Sequence, residues 1–115
     1  MSDCIFCRIV SRELPANEVR RTADAVAFRD LDPKAPTHIL VVPVKHVSAV
    51  RDATGAAGEA LLGRVFAFAA ELATELGLDS DGYRLVTNTG RHGGQSVDHL
   101  HVHLLGGRQF AWPPG

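Results

Sequence analysis

The sequence predicts an α+β domain built on an antiparallel sheet, and three observations carry that expectation. Short segments rich in Val, Ile, Leu and aromatics recur between turn residues, and one long amphipathic helix stands among them. Helical stretches are too few for the repeated crossovers of a doubly wound parallel sheet. At 115 residues the chain reads as one domain, 1–115, because a second core would need more length.

The elements follow in order. A short helix is expected over 4–11, and turn residues then recur at Leu14-Pro15-Ala16-Asn17, Leu31-Asp32-Pro33 and Asp79-Ser80-Asp81-Gly82. Strands are expected over 25–30, 38–42, 83–87 and 99–105. Segment 37–43 is apolar almost throughout, which marks a central strand covered on both faces. The long helix is placed around 58–76, where Leu61, Leu62, Val65, Phe66, Ala69, Leu72, Ala73 and Leu76 recur at three- and four-residue spacing. Gly77 suits a left-handed cap, with Leu78 set to fold back on the last turn.

Composition narrows the partners. With 45% hydrophobic and 22% charged residues and no apolar run of membrane-spanning length, neither disorder nor a membrane protein fits. The formal charge is -1 and the only lysines are Lys34 and Lys45, so no basic footprint for nucleic acid is present, which disfavours a polyanion and leaves room for a small anion. The N-terminal segment has neither the basic region nor the apolar run of a secretory signal, and two cysteines make no disulfide framework. A cytoplasmic location is expected.

The segment that carries chemistry is His99-Leu100-His101-Val102-His103-Leu104-Leu105. A period of two puts three imidazoles on one face of a strand and Leu100, Val102 and Leu104 on the other. The apolar face belongs to the core, so the histidine face lines a cleft. Two chemistries suit it: a three-histidine metal site, or histidines that handle an anion directly. The preceding loop, Asn88-Thr89-Gly90-Arg91-His92-Gly93-Gly94-Gln95-Ser96, favours the second, because glycines with a hydroxyl and a carboxamide can turn backbone N–H groups toward a phosphate-sized anion.

These residues resemble the histidine triad (HIT) superfamily, whose His-φ-His-φ-His-φ-φ pattern (φ apolar) is matched at every position from His99 to Leu105. Ala35-Pro36-Thr37-His38, Gly93-Gly94-Gln95-Ser96-Val97, Gly106-Gly107-Arg108-Gln109 and Trp112-Pro113-Pro114-Gly115 make the chain most similar to the histidine triad nucleotide-binding proteins, the Hint branch. The resemblance implies a HIT-like fold: a five-stranded antiparallel sheet with one long helix and a short N-terminal one, paired as a two-fold homodimer. It implies hydrolysis of the P–N bond of purine nucleoside 5′-monophosphoramidates through a nucleotidyl-histidine, without a catalytic metal. The partner is then a purine nucleoside monophosphate or phosphoramidate.

Carried over residue by residue, the resemblance makes His101 the nucleophile. A neutral imidazole, the main form at pH 7 for an ordinary pKa of about 6.5, can displace an amine from phosphorus. His103 is expected to hydrogen-bond the phosphate, Ser96 to assist the leaving amine, His38 to join the proton relay, and Asn88 with the Gly94 backbone to hold the phosphate. Asp30 is expected on the ribose, and Phe6, Ile9, Phe28 and Leu31 around the purine. Arg29 lies beside the base, where relatives often carry histidine, and Trp112 reaches toward a neighbouring subunit's site. Asp98 stands where an aromatic residue is common, and strand alternation points it away from the histidine face. His92 is expected in solvent.

Cys4 and Cys7 have the spacing of half a structural zinc site, although a redox pair or two incidental thiols share that spacing. Spacing alone leaves His38, His46, His92 and His99 open as completing ligands. The resemblance to zinc-bearing HIT proteins and galactose-1-phosphate uridylyltransferases implies Cys4, Cys7, His46 and His99. Two other functions fit the histidine strand: a metal-dependent hydrolase with His99, His101 and His103 as ligands, and a nucleotide-binding regulatory module with little turnover.

Overall fold

The computed structural model describes residues 3–115, so residues 1–2 of the expected domain lie outside it. Five strands form one open antiparallel sheet in the order β1-β2-β3-β5-β4, namely β1 (Glu18–Arg21), β2 (Ala25–Arg29), β3 (Thr37–Pro43), β4 (Tyr83–Thr87) and β5 (Val102–Gly106). The short helix α1 (Ile5–Val10) and the long helix α2 (Gly55–Glu75) complete it, with a 3-10 turn at Val50–Asp52 between β3 and α2. Among the described residues no helix is long and apolar enough to cross a membrane.

Alternation along the central strand divides the core. Ile39 and Val41 join Val65, Phe68, Leu72 and the β5 residues Val102 and Leu104 beneath α2, whereas Leu40 and Val42 face Phe6 of α1 with Val26 and Phe28. The expected two-sided burial of this strand is what the structure shows, for β3 is buried from His38 through Pro43. Helix α2 ends as its sequence asks: Gly77, at φ +74°, lets its own N–H reach the Thr74 carbonyl at 3.1 Å. Leu78 then donates to the Ala73 carbonyl at 3.0 Å, closing a Schellman motif, and packs its side chain against the core. The helix begins at Gly55, ahead of the expected start, because Gly55, Ala56 and Ala57 carry no apolar periodicity to announce it.

Two expectations need correction. Strand β1 was not located from its sequence, since Glu18-Val19-Arg20-Arg21 holds one apolar side chain. Ion pairs and packing keep it at the sheet edge: Arg21 bonds Glu18 at 2.8 Å and the Val10 carbonyl at 2.9 Å, and Arg20 bonds Glu75 at 2.8 Å while lying over the Phe68 ring. The strand expected over 99–105 is shorter and shifted, because only Val102–Gly106 pairs in the sheet. Leu100 donates its N–H to the Val47 carbonyl at 2.7 Å and not to a sheet ladder, and His99 lies in a bend.

Candidate active site

Strands β4 and β5 form a hairpin whose connection, residues 88–101, leaves the sheet after Thr87 and returns at Val102, the paired residues at its neck. The Thr87 hydroxyl closes that neck by donating to the His101 carbonyl at 3.0 Å. Within the connection Asn88 donates its side-chain amide to the Gly93 carbonyl at 2.7 Å. Gln95 accepts the Gly90 N–H at 2.9 Å and donates to the carbonyls of Ser48 and Val97 at 2.7 and 3.0 Å. Gly93 is required where it stands, since a Cβ there would lie 2.4 Å from the Thr89 carbonyl oxygen. The Gly94 N–H, expected on a phosphate, donates to the Arg91 carbonyl at 3.2 Å, a long bond that an anion can outcompete. Ser96 and His92 are exposed on the same loop.

The three triad histidines keep one side of the chain despite the short strand. Phe6 of α1 packs edge-on against both His99 and His101, and the His101 and His103 rings lie 5.0 Å apart. Leu100, Val102 and Leu104 point the other way into the core under α2, as alternation requires.

Hydrogen-bond partners set the proton on each imidazole, on Nδ1 for His101 and on Nε2 for His38, His99 and His103. A carbonyl only accepts, so the 2.8 Å contact from His101 Nδ1 to the His99 oxygen makes Nδ1 a donor and leaves the lone pair of the neutral ring on Nε2. A backbone N–H only donates, so Lys34 N at 3.0 Å from His38 Nδ1 places the His38 proton on Nε2. His38 Nε2 donates in turn to His103 Nδ1 at 2.8 Å, which leaves His103 presenting Nε2–H. His99 donates from Nε2 to the Pro43 carbonyl at 2.9 Å and keeps a lone pair on Nδ1.

Burial reinforces the neutral forms. Desolvation, helped by the neighbouring His101 and His38, pushes the His103 pKa down from 6.5 to about 4. His38 is also depressed by burial, with the Asp30 carboxylate pulling partly the other way. Burial lowers His99 too, against the opposing pull of the Pro43 carbonyl.

Asp30 lies 3.5 Å from His38 Nε2 and holds the Asp32 N–H on its other oxygen at 2.8 Å. The spacing of Asp30, His38 and His103 would admit a metal. The hydrogen arrangement opposes it, because a metal on His38 Nε2 would drive that ring's proton onto Nδ1 against the Lys34 N–H. Nor do His99, His101 and His103 converge as one ligand set among the described residues.

Beside the histidines lies an apolar cavity of about 180 Å³. Its walls include every base-site residue expected from sequence, Phe6, Ile9, Phe28, Arg29 and Leu31, and the expected ribose residue Asp30, together with Asn17, Pro15, Ala16, Ile5 and Leu40, which sequence reasoning did not assign to a site. Leu31 stands at the opening, 96% exposed. Trp112 does not line this cavity and is 81% exposed.

On the far side of His99, the atoms Cys4 Sγ, Cys7 Sγ, His46 Nδ1 and His99 Nδ1 all lie within 4.8 Å of one another. Their contacts run from 3.1 Å between the two imidazoles to 3.4 and 3.5 Å between sulfur and nitrogen. A tetrahedral zinc with bonds of about 2.0–2.1 Å to nitrogen and about 2.3 Å to sulfur spaces its ligand atoms about 3.3–3.8 Å apart, so this set of donors fits one. His38, an alternative ligand by spacing, hydrogen-bonds His103 instead, and His92 is exposed. Asp98 does not turn away from this side as expected. The chain bends at 97–99, and Asp98 lines an open cavity shared with Cys4, His46, Ser48 and Ser96.

Known proteins match this arrangement along nearly the whole chain. The sequence profile described as HIT domain matches residues 11–110. A purine nucleoside phosphoramidase of Escherichia coli is 48% identical over 106 residues, covering 92% of this chain and 88% of that protein. An uncharacterized HIT-like protein of Synechococcus elongatus is 50% identical over 113 residues, covering 98% and 97%. The crystal structure of a HIT family hydrolase from Legionella pneumophila superposes with a TM-score of 0.94 at 46% identity, covering 98% of this chain and all of that one. The chain belongs to the HIT domain family, and it is a hydrolase of that family.

The depressed histidines give stability a definite pH dependence. Between pH 6.5 and about 4 the unfolded chain binds a proton at position 103 that the folded protein refuses. Stability contributed there is whole above 6.5 and declines as pH falls toward the folded value. The urea midpoint is therefore expected to drop between about pH 7 and about pH 4.5, and to drop less in His103→Asn.

Proposed function

We propose that the protein hydrolyses the P–N bond of purine nucleoside 5′-monophosphoramidates through a nucleotidyl-His101 intermediate. The observation that carries this reading is the bond from His101 Nδ1 to the His99 carbonyl, which leaves a lone pair on Nε2 of a ring packed against the wall of an apolar slot. The purine enters that slot, and the phosphate meets the loop at Asn88 and Gly93–Gly94. Asp30 offers the ribose its less committed oxygen.

His101 Nε2 attacks phosphorus while the amine departs with the electrons of its P–N bond, taking a proton through the Ser96 hydroxyl. His103 donates Nε2–H to a phosphate oxygen as negative charge builds, and His38 keeps that tautomer in place. Water then breaks the new phosphorus–nitrogen bond, releasing the nucleoside monophosphate and the free imidazole. In support, these groups are positioned by backbone partners before substrate arrives, and the Escherichia coli relative is a purine nucleoside phosphoramidase. His101→Ala should lower kcat by about 10³-fold or more. Intact mass spectrometry of wild type mixed with adenosine 5′-phosphoramidate should show one added nucleotidyl group that the variant lacks; a fully active variant would sink the mechanism.

The same reading assigns Cys4, Cys7, His46 and His99 to a structural zinc ion. Such an ion closes a tetrahedral shell and ties α1 to the residues that carry His101. Plasma emission spectrometry of purified protein should find about one zinc per chain, and Cys7→Ser should abolish it while lowering the melting temperature. A metal content near zero in protein purified without chelator counts against the assignment.

Pairing into a two-fold homodimer completes the proposal, with Trp112 directed at the neighbour's slot. In support, the tail that carries Trp112 is held to the fold at Phe110, over whose ring the guanidinium groups of Arg84 and Arg108 lie 5.3 and 4.2 Å from the centroid. Sedimentation at micromolar concentration should give the mass of two chains; a monomer would remove Trp112 from the site.

A further inference from the structure

Phe6 is the one buried residue of α1 and lies between the two cysteines of the zinc cluster. Besides His99, which it meets with centroids 6.0 Å apart, its ring has two neighbours of different kinds. One face of its role is the apolar slot, where it stands with Ile9 and Phe28, the latter at 5.5 Å edge-on. The other is His101, against whose imidazole it packs with centroids 5.1 Å apart and planes at 84°.

Among the described residues His101 has a single polar restraint, the bond from Nδ1 to the His99 carbonyl. One hydrogen bond fixes a point on the ring but allows the ring to swing about that point, and such a swing displaces Nε2 on the far side. Packing is what stops it: the Phe6 ring meets the imidazole nearly at right angles, and the His103 imidazole stands 5.0 Å away. A displacement of about 1 Å at an attacking atom costs on the order of 10²-fold in rate.

We propose that Phe6 is a positioning residue for the nucleophile, holding His101 Nε2 in line with phosphorus through a contact separate from its part in the base slot. The proposal rests on the phosphoramidase reading above and deepens it. A residue that only walls the slot acts through the purine; a residue that braces His101 acts whether or not a purine is there.

That difference sets the experiment. Wild type, Phe6→Leu and Phe6→Tyr are assayed with adenosine 5′-phosphoramidate and with ribose 5-phosphoramidate, which has no base. Phe6→Leu is expected to lower kcat about 10–100-fold on both substrates alike, while Phe6→Tyr, which restores an aromatic edge, stays within about threefold of wild type. In ligand-free protein with ¹⁵N-labelled histidine, the His101 Nε2 resonance should shift or broaden in Phe6→Leu and return in Phe6→Tyr.

The proposal is overturned if Phe6→Leu leaves kcat on the base-free substrate unchanged and raises only KM for the purine substrate. An unchanged His101 resonance overturns it as well. If thermal melts show that Phe6→Leu does not fold, Phe6→Met carries the same comparison. A wild type that turns over neither compound defeats the phosphoramidase reading itself, and the imidazole resonance then still decides whether Phe6 orients the ring.

Discussion

Leu100, Val102 and Leu104 are fully buried beneath α2, and the roll of the chain from 99 to 105 depends on them. Each is worth about 1.5–3 kcal/mol of burial. A slip of one residue would turn these three out of the α2 core and press three imidazoles into hydrocarbon, so the register is enforced from the core side. The histidine face is a consequence of what lies behind it. Helix α2 touches none of the proposed chemistry, yet it holds the reacting side chains at their depth and direction.

Once the face is set, identical side chains differ only through their backbone neighbours. A carbonyl at His99 makes His101 a donor at Nδ1, an amide at Lys34 makes His38 an acceptor at Nδ1, and a carbonyl at Pro43 turns the Nδ1 lone pair of His99 toward the cysteines. These partners are main-chain atoms, fixed by strand and turn geometry, so the hydrogen arrangement is built in before any ligand binds. The arrangement also sets two histidine groups apart. His99 joins the sulfur cluster and His38 joins His103, so the proposed zinc site and the proposed proton relay share no residue.

Much of this was legible beforehand, for physical reasons that can be named. The α2 stripe, the Gly77 cap and the two-sided burial of β3 are local consequences of periodicity and of a glycine at positive φ. Strand β1 was not, because Glu18, Arg20 and Arg21 stabilise it through ion pairs that leave no apolar pattern. The bend at His99 was hidden for the opposite reason: alternation looks perfect through a segment whose backbone bonds to Val47 and not to a neighbouring strand. Asp98 was misplaced by that assumption. Gln95 stood inside a recognised motif, but its grip on Ser48, 47 residues away in sequence, has no local signature.

Leu31 leaves nearly its whole side chain in water at the rim of a recess walled chiefly by aliphatic and aromatic carbon. Contact of that sort rewards a flat heterocycle in proportion to the area it covers, and a fused bicycle covers more than a single ring. Swapping an amino substituent for a keto group on the outer edge changes that area hardly at all. If the recess takes a nucleobase as proposed, its carbon walls would sort bases by breadth far more sharply than by edge chemistry, and tolerance toward both common bicyclic bases would follow.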